Sequence, residues 1–510
     1  MITLVEMLDR TARTHPDAIA VKVDKESISY ADLHAQATAV AHCLIEAGIQ
    51  KGDCVGLLLH KSIQAVVSLY GIMKAGAAYV PLDIKSPPQR LQNIVNDCKI
   101  TTIISSGRAF KLIQPVLEHT TVQTIIGLDR APIASVQNIS WQDCLESSNR
   151  DVLPKVQLDD RCYILFTSGS TGTPKGIVHT HKSAYSFAHW SAQQFALSHT
   201  DIVSNHAPFH FDLSTFDLFA SCLVGAQVVL IPTYLTKFPA SIKQFIENEK
   251  ISVWYSVPSA LVQLLQRGKL EQTSAQSLRL ILFAGEAFPV KYIEALRTAA
   301  PRALLANLYG PTETNVCTYY ILNKLQYNQP LPIGILCTHF DKIILDEQGN
   351  PSTESTGELA VAGPHIMNGY WNRPELTASS FVTLNGKHYY KTGDLVELLP
   401  NDNIAYIGRK DNQVKLRGFR VELGAIEHLL QSIEGVQEGI AYVIGKNEQA
   451  VIQVSICLED GALDLSPSDI LNQLRKALPN YALPSKIDIL PSFPRTSNGK
   501  IDRKRLSAGQ

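Results

Sequence analysis

The chain has 510 residues, 45% hydrophobic and 18% charged, which is the composition of an ordinary water-soluble globular protein and too much sequence for one common core. A formal net charge of −1 gives no electrostatic footprint for nucleic acid or an anionic membrane. The nine cysteines are scattered without a CxxC pair, which favours reduced thiols in a cytoplasmic compartment over a disulfide framework or a zinc site.

At the N-terminus, MITLVEMLDRTARTHPDAIAV lacks the cationic start and apolar core of a signal sequence, and Thr3 with Glu6 reads as the capping box of an amphipathic helix. No apolar run is long enough to span a membrane. From Ser29, the residues Leu33, Ala37, Val40, Ala41 and Leu44 recur at helical spacing, and Gly48 stands where that helix should end. VGLLL then reads as a strand, SIQAVVSLYGIMKAG as a helix and AAYVPLD as a strand. The alternation continues through IVSNHAPF, VVLIP, ISVWYSV, LRLILFAG and ALLANLYG, with SIKQFIENEK and KYIEALRTAA as helices between them. Short apolar strands alternating with helices predict parallel α/β layers. Near residue 330 the texture becomes β-rich: GELAVAGPHIMNGYW, KHYYKTGDLVEL and NIAYIGR are short strands broken by Gly and Asn. After GRKDNQVKLRGFR, a helix, two strands, a helix and a strand form an α+β unit of about 100 residues. The expected division is 1–410 and 411–510, with no internal repeat.

LFTSGSTGTPKG at 165–176 is the first stretch that carries chemistry. It is not a Walker A loop, because Pro174 follows Gly169 by five residues and Lys175 precedes the last glycine. Its glycines nevertheless expose backbone N–H groups, its hydroxyls add donors, and Lys175 adds charge, which together suit phosphate. Alone, such a loop reads equally well as a solvated turn.

The stretch resembles the phosphate loop of the adenylate-forming superfamily, which includes acyl-CoA synthetases, luciferases and nonribosomal-peptide adenylation domains. The family's other motifs follow in order: FDLSTFDLF (211–219), NLYGPTE (307–313), GELAVAGPHIMNGYWNRPELT (357–377), YKTGDL (390–395), GRKDNQVKLRGFRVELGAIE (408–427) and PRTSNGKIDR (494–503). The resemblance implies a nucleotide site built from Thr167, Ser168, Gly169, Ser170, Thr171, Gly172, Thr173 and Lys175 around the β- and γ-phosphates. Gly285, Glu286, Ala287, Asn307 and Tyr309 would surround adenine, Asp394, Tyr406 and Arg409 the ribose, and Gly310 would belong to the same nucleotide site. Thr312 would reach the α-phosphate and Glu313 would hold Mg²⁺, a hard cation that prefers carboxylate and phosphate oxygens. Lys500, at the tip of SNGKID, would reach the substrate carboxylate and the α-phosphate, offsetting the repulsion between two anions that must meet. Asp411 would be the hinge of a small domain that rotates between two half-reactions, after which Gly418–Arg420 would face an entering thiol and Lys415 would lie on the moving element.

Asp212 is similar to the residue that pairs with the substrate α-ammonium in amino-acid-activating members, and a buried carboxylate without a cation is costly. The implied amino-acid pocket is Phe211, Asp212, Leu213, Phe216, Tyr255, Leu282, Ala284, Leu308, Gly310, Val316, Cys317 and Lys500. Apart from Asp212 and Lys500 it is largely apolar, with Phe216 and Tyr255 filling volume. The set resembles the signature of free-standing proline-activating enzymes, with D-alanine–carrier protein ligases as the nearest alternative. The implied reaction is ATP-dependent formation of an aminoacyl-AMP, then transfer to the phosphopantetheine thiol of a separate carrier protein, since the ten residues after Lys500 leave no room for a carrier domain. Coenzyme A is the alternative acceptor. A catalytically dead scaffold is a third reading, against which stands the presence of every motif residue the chemistry needs.

Overall fold

The computed structural model describes residues 1–129, 136–147, 152–167, 174–323, 329–411, 413–445, 449–459, 465–494 and 503–507. Two large sheets carry most of it. The nine-stranded sheet runs in the order Ile335–Leu336, Thr318–Ile321, Leu304–Tyr309, Leu280–Ala284, Val253–Ser256, Ile202–Asn205, Gln227–Leu230, Ile19–Val23, Glu26–Ser29. Its inner pairs are parallel and the pairs at both edges are antiparallel. The eight-stranded sheet runs Gly369–Tyr370, Lys175–Thr180, Arg161–Thr167, Ala78–Pro81, Cys54–Leu58, Thr102–Ser105, Thr124–Ile126, Gln137–Ile139. It is parallel except where Lys175–Thr180 pairs antiparallel with both of its neighbours. The expected parallel layers are therefore present with antiparallel edges added, as chain segments beyond the βαβ units return to cover the sheet ends.

Helices fill the space between the sheets. Tyr30–Glu46, Ile63–Lys74 and His181–Gln194 contribute Leu33, Val40, Val67, Leu69, Phe187 and Ala188 to one core shared with inward residues of both sheets. The outer face of the nine-stranded sheet packs Trp254, Ile281, Phe283 and Leu305 against Pro239–Asn248, Pro258–Gln266 and Ile293–Ala299. The outer face of the eight-stranded sheet packs against Pro88–Asp97. The period-2 alternation of strands separates these faces: Tyr255, Leu282, Ala284 and Leu308 point to the shared core, and Trp254, Ile281 and Phe283 point away. The N-terminal helix Leu4–Thr14 has the expected capping box between Thr3 and Glu6.

Beyond these layers, Asp341–Leu345, Thr356–Ala362, Lys387–Leu398 and their neighbours make a six-stranded antiparallel sheet. Asp411 follows its strand Ile404–Arg409. A two-stranded hairpin comes next, Gln413–Leu416 with Phe419–Glu422, and then the helix Leu423–Gln431, the strands Val436–Ile444, Val451–Leu458 and Lys486–Ile489, and the helix Pro467–Ala477. These share a separate core that includes Leu416, Val421, Ile426, Val454 and Ile470. All nine cysteines are buried and free of disulfides. Among the described residues no helix is long and apolar enough to cross a membrane.

Candidate active site

Four neighbouring parallel strands of the nine-stranded sheet end at Asn205, Ser256, Ala284 and Tyr309. They hand the chain to HAPFHFD, which runs into the FDLS motif, to Val257 before the helix Pro258–Gln266, to GEA and to GPTE. Ligands of open parallel sheets lie off the carboxyl ends of the strands, so the topology gathers these segments at one rim. The hairpin Gln413–Glu422 closes over that rim. Its two-residue turn, Arg417 at φ 51° and Gly418 at φ 83°, matches the right-handed twist of the ribbon. The Gly418 N–H donates to Glu286 Oε1, and a Cβ on Gly418 would stand 2.5 Å from Val257 Cγ1.

Three cavities meet beneath the hairpin. The first, about 500 Å³, is lined by Gly285, Glu286, Ala287, Asn307, Tyr309, Asp394, Tyr406 and Arg409, so the eight residues expected around adenine and ribose share one space. Asp394 is nearly inaccessible. It accepts from the Tyr309 hydroxyl at 2.5 Å and pairs with Arg409 at 2.9 Å. Tyr309 therefore orients the carboxylate besides offering a ring. Asn307 spends its amide donor on the Pro332 carbonyl at 2.9 Å. Lys415 also lines this cavity, its ammonium 5.9 Å from the centre of the Tyr309 ring. Burial holds Lys415 below its ordinary value, against the pull of Asp394 and Asp212.

Glu313 is fully buried, next to Arg420, which lines this space. Its Oε1 accepts the Tyr370 hydroxyl at 2.7 Å and its Oε2 pairs with Arg420 at 2.7 Å, while Lys175 lies 3.8 Å away. Burial works to raise the carboxyl, yet Arg420 and Lys175 hold it well below the usual range. Glu313 is thus an ionised hard-oxygen donor. It suits a divalent cation, although Arg420 is the cation that now faces it. Lys175 also reaches Glu422 at 3.4 Å. Thr167 is the last described residue before the phosphate loop, and its hydroxyl has no partner among the described residues. Ser168, Gly169, Ser170, Thr171, Gly172, Thr173 and Lys500 lie outside the described residues.

The second cavity is small, about 80 Å³, and holds Asp212 with Leu213, Tyr255, Ala284, Gly310 and Thr312 on its wall. Burial pushes the Asp212 carboxyl up, and the Thr312 hydroxyl and Lys415 pull it back in part. Asp212 precedes a helix that begins at Leu213–Thr215, widens into a π turn over Phe216–Ala220 and closes at Ser221–Val224. π turns interrupt α-helices mostly at functional positions. Phe216 meets Tyr255 edge to face at 5.3 Å, and both are buried. Phe211 lies at the mouth, against Phe419 of the hairpin at 5.2 Å. Phe216, Leu282, Val316 and Cys317 are buried without lining this cavity, and Leu308 lines the first cavity instead. Burial raises the Cys317 thiol to about 12.

The third cavity, about 450 Å³, runs past Lys61, His206 and Ala260 and shares Phe211, Leu213, Gly418, Phe419 and Tyr481 with the small one. The small cavity shares Gly285, Pro311, Lys415 and Arg420 with the first. It is the junction of the other two. Phe419 stacks on Tyr481 at 4.0 Å. Asp411 pairs with Arg409 at 2.6 Å and accepts the Gln413 N–H at 3.1 Å, a brace across the position expected to hinge. Tyr370 escaped the sequence reading although it stands in the quoted NGYW motif, because no spacing tells that its hydroxyl will meet Glu313.

A mostly parallel open sheet with an acidic pocket beside a larger cavity suits a nucleotide-dependent ligase, and the chain belongs to the AMP-binding enzyme family. That family's pattern matches residues 8–371, and the AMP-binding enzyme C-terminal domain matches residues 425–500. The chain is 34% identical to an L-proline–[L-prolyl-carrier protein] ligase of Pseudomonas fluorescens, over 99% of each protein. It is also 34% identical to a ligase of the same name from Streptomyces coelicolor, over 95% of this chain and 92% of the relative. Among solved structures it is similar to the Vibrio cholerae adenylation domain AlmE in complex with glycyl-adenosine-5′-phosphate, with 25% identity and a TM-score of 0.84 over 99% of this chain and 97% of that one.

Proposed function

We propose that this chain activates L-proline with ATP and passes the prolyl group to the phosphopantetheine thiol of a separate carrier protein. The observation that carries the reading is the junction: a buried aspartate in a small, mainly apolar cavity that shares wall residues with a nucleotide-sized space on one side and with the third cavity on the other. The full-length likeness to two proline–carrier protein ligases supports the choice of substrate and acceptor.

In the first half-reaction a proline carboxylate oxygen attacks the α-phosphorus of ATP, forming prolyl-AMP and releasing pyrophosphate. Asp212 pairs with the secondary ammonium, and Leu213, Tyr255 and Ala284 enclose the ring, with Phe216 limiting depth from behind Tyr255. Asp394, oriented by Tyr309 and Arg409, accepts from the ribose hydroxyls. Thr312 donates toward the α-phosphate, Thr167, Lys175 and the loop Ser168–Thr173 hold the outer phosphates, and Lys500 reaches the reacting oxygens. Mg²⁺, when bound, supplies positive charge to the phosphate oxygens, and Glu313 is the residue that would hold it. In the second half-reaction the thiol, arriving along the third cavity past Gly418 and Phe419, attacks the prolyl carbonyl carbon. AMP leaves and the thiol proton passes to solvent. Residues 1–410 and 411–510 act as two bodies that turn about Asp411 between the steps, within the cytoplasm.

The test is ATP–pyrophosphate exchange with each proteinogenic amino acid and D-alanine, followed by loading of a carrier protein and of coenzyme A. Exchange with L-proline and acylation of the carrier are expected. Exchange with D-alanine alone would retain the adenylation chemistry and remove proline. Equal acylation of coenzyme A would remove the requirement for a carrier.

A further inference from the structure

The hairpin that covers the site is two-faced. Val414, Leu416, Phe419 and Val421 alternate along one side and pack on the small α+β core. Gln413, Lys415, Arg420 and Glu422 alternate along the other side, as period 2 requires. Lys415 and Arg420 are direct cross-strand partners, so both cations leave the same face and enter the site together. Lys415 goes to the first cavity, and Arg420 ends on the buried Glu313 carboxylate at 2.7 Å. Arg420 is also fixed by Gln413 Oε1 at 2.9 Å, which Arg409 shares at 2.7 Å.

We infer that Arg420 and a divalent cation take turns on Glu313, and that the Arg420–Glu313 pair is the latch that holds the hairpin in the thiol-facing arrangement. The inference rests on the proposed reading of Glu313 as the Mg²⁺ ligand and of the hairpin as part of the moving body. Mg²⁺ binds carboxylate oxygen at about 2.1 Å within a near-octahedral shell of waters and phosphate oxygens. A guanidinium nitrogen 2.7 Å from Glu313 Oε2 stands in the space that shell needs. Two cations on one carboxylate also repel strongly where water is excluded. Glu313 therefore receives the ion only while Arg420 is withdrawn. Once pyrophosphate and its counter-ion have left, the buried carboxylate lacks a close cation, and Arg420 supplies it. Docking of the hairpin is thereby tied to completion of adenylation. Lys175, on the strand Lys175–Thr180, faces Glu313 and also reaches Glu422 of the hairpin, so its contact with Glu422 parts with the latch while Glu313 keeps it as a neighbour, and the exchange on Glu313 turns on Arg420.

The test is hydrogen–deuterium exchange of the full-length enzyme, read on the peptide covering 413–422, with the strand Val451–Leu458 as the control for folding. Without ligand, Glu313→Gln keeps the shape and removes the charge, and should speed exchange of the hairpin about tenfold or more while the control peptide is unchanged. Arg420→Gln should do the same, and Arg420→Lys, which keeps charge without the fork, should fall between. In the wild type, ATP with Mg²⁺ should deprotect the hairpin and ATP with EDTA should not. A hairpin as protected in Glu313→Gln as in wild type, or one that stays protected when dialysis shows Mg²⁺-ATP bound, would overturn the latch. Pyrophosphate exchange on the same preparation separates the two readings. Its absence for every amino acid would remove the proposed function, and the ligand-free comparison of Glu313→Gln with wild type would still judge the pair.

Discussion

Replacing Asp212 by Asn tests the substrate assignment most directly. The side chain keeps its shape and an oxygen that can accept from the Thr312 hydroxyl, while the charge that burial has already made costly is removed. If a prolyl ammonium pairs with Asp212 in this enclosed cavity, losing one partner of a buried charge pair costs about 2–4 kcal/mol. That corresponds to a fall of about 30- to 900-fold in kcat/KM for proline. The assay is pyrophosphate exchange with varied proline at saturating ATP, then varied ATP at saturating proline, repeated with cyclopentanecarboxylate, which keeps the ring and lacks the amine. The loss should fall on proline and spare the KM for ATP, and the preference for proline over its amine-free analogue should collapse. Stability should move the other way. The Asp212 carboxyl lies above its ordinary 3.8 in the folded protein, so its contribution is lost as pH rises through the folded value, and the wild type bears a cost at neutral pH that the amide does not. The variant should melt at or above the wild-type temperature at pH 7, with the gap closing as the pH is lowered toward the ordinary value. Equal losses for ATP and proline, or a preference for the amine that survives the substitution, would refute the ammonium pairing.

Three other substitutions probe separate parts of the site. Lys500→Ala should remove most pyrophosphate exchange while equilibrium dialysis still detects ATP binding, and undiminished exchange would take the lysine out of the reaction. Gly418→Ala places a Cβ 2.5 Å from Val257 Cγ1 at φ 83°. The backbone strain alone is roughly 1–2 kcal/mol, so carrier acylation should drop about tenfold or more while exchange drops less; parallel losses would mean the turn has no special part in transfer. Phe216→Ala empties a fully buried ring site against Tyr255. It should lower stability by about 3–5 kcal/mol by denaturant titration and shift exchange toward larger aliphatic amino acids, and an unchanged substrate profile would place the pocket's limit elsewhere.

The layers were legible because burial periodicity is local. ISVWYSV, LRLILFAG and ALLANLYG appear as the strands Val253–Ser256, Leu280–Ala284 and Leu304–Tyr309, and alternation alone sends Tyr255, Leu282 and Leu308 to the same core. The helix after Ser29 starts at Tyr30 with Ser29 as its cap. What the sequence hid is set by contacts between distant segments. GRKDNQVKLRGFR is recognisable as a motif, with no strands assigned to it, and its hairpin becomes visible only when one face finds the small core and the other meets Glu313, which is 107 positions away from Arg420. Sequence also grouped Phe216, Leu282, Leu308, Val316 and Cys317 with Asp212, whereas none of the five lines the small cavity and Leu308 lines the first. Asn307 and Tyr309 were expected beside adenine, and sequence did not show that an Asn307 amide N–H donates to the Pro332 carbonyl or that the Tyr309 hydroxyl donates to Asp394.

The burial of every cysteine has a chemical consequence for an enzyme that makes acyl adenylates. An activated acyl group is captured by whichever thiolate reaches it first, and thiolate, not thiol, is the capturing species. Cys317 sits just behind the pocket wall, where burial keeps its proton on far above neutral pH. Cys162 and Cys337 are pushed in the same direction by the same cause. The protein has thus silenced its own sulfur, so that the acyl group waits for sulfur brought from outside.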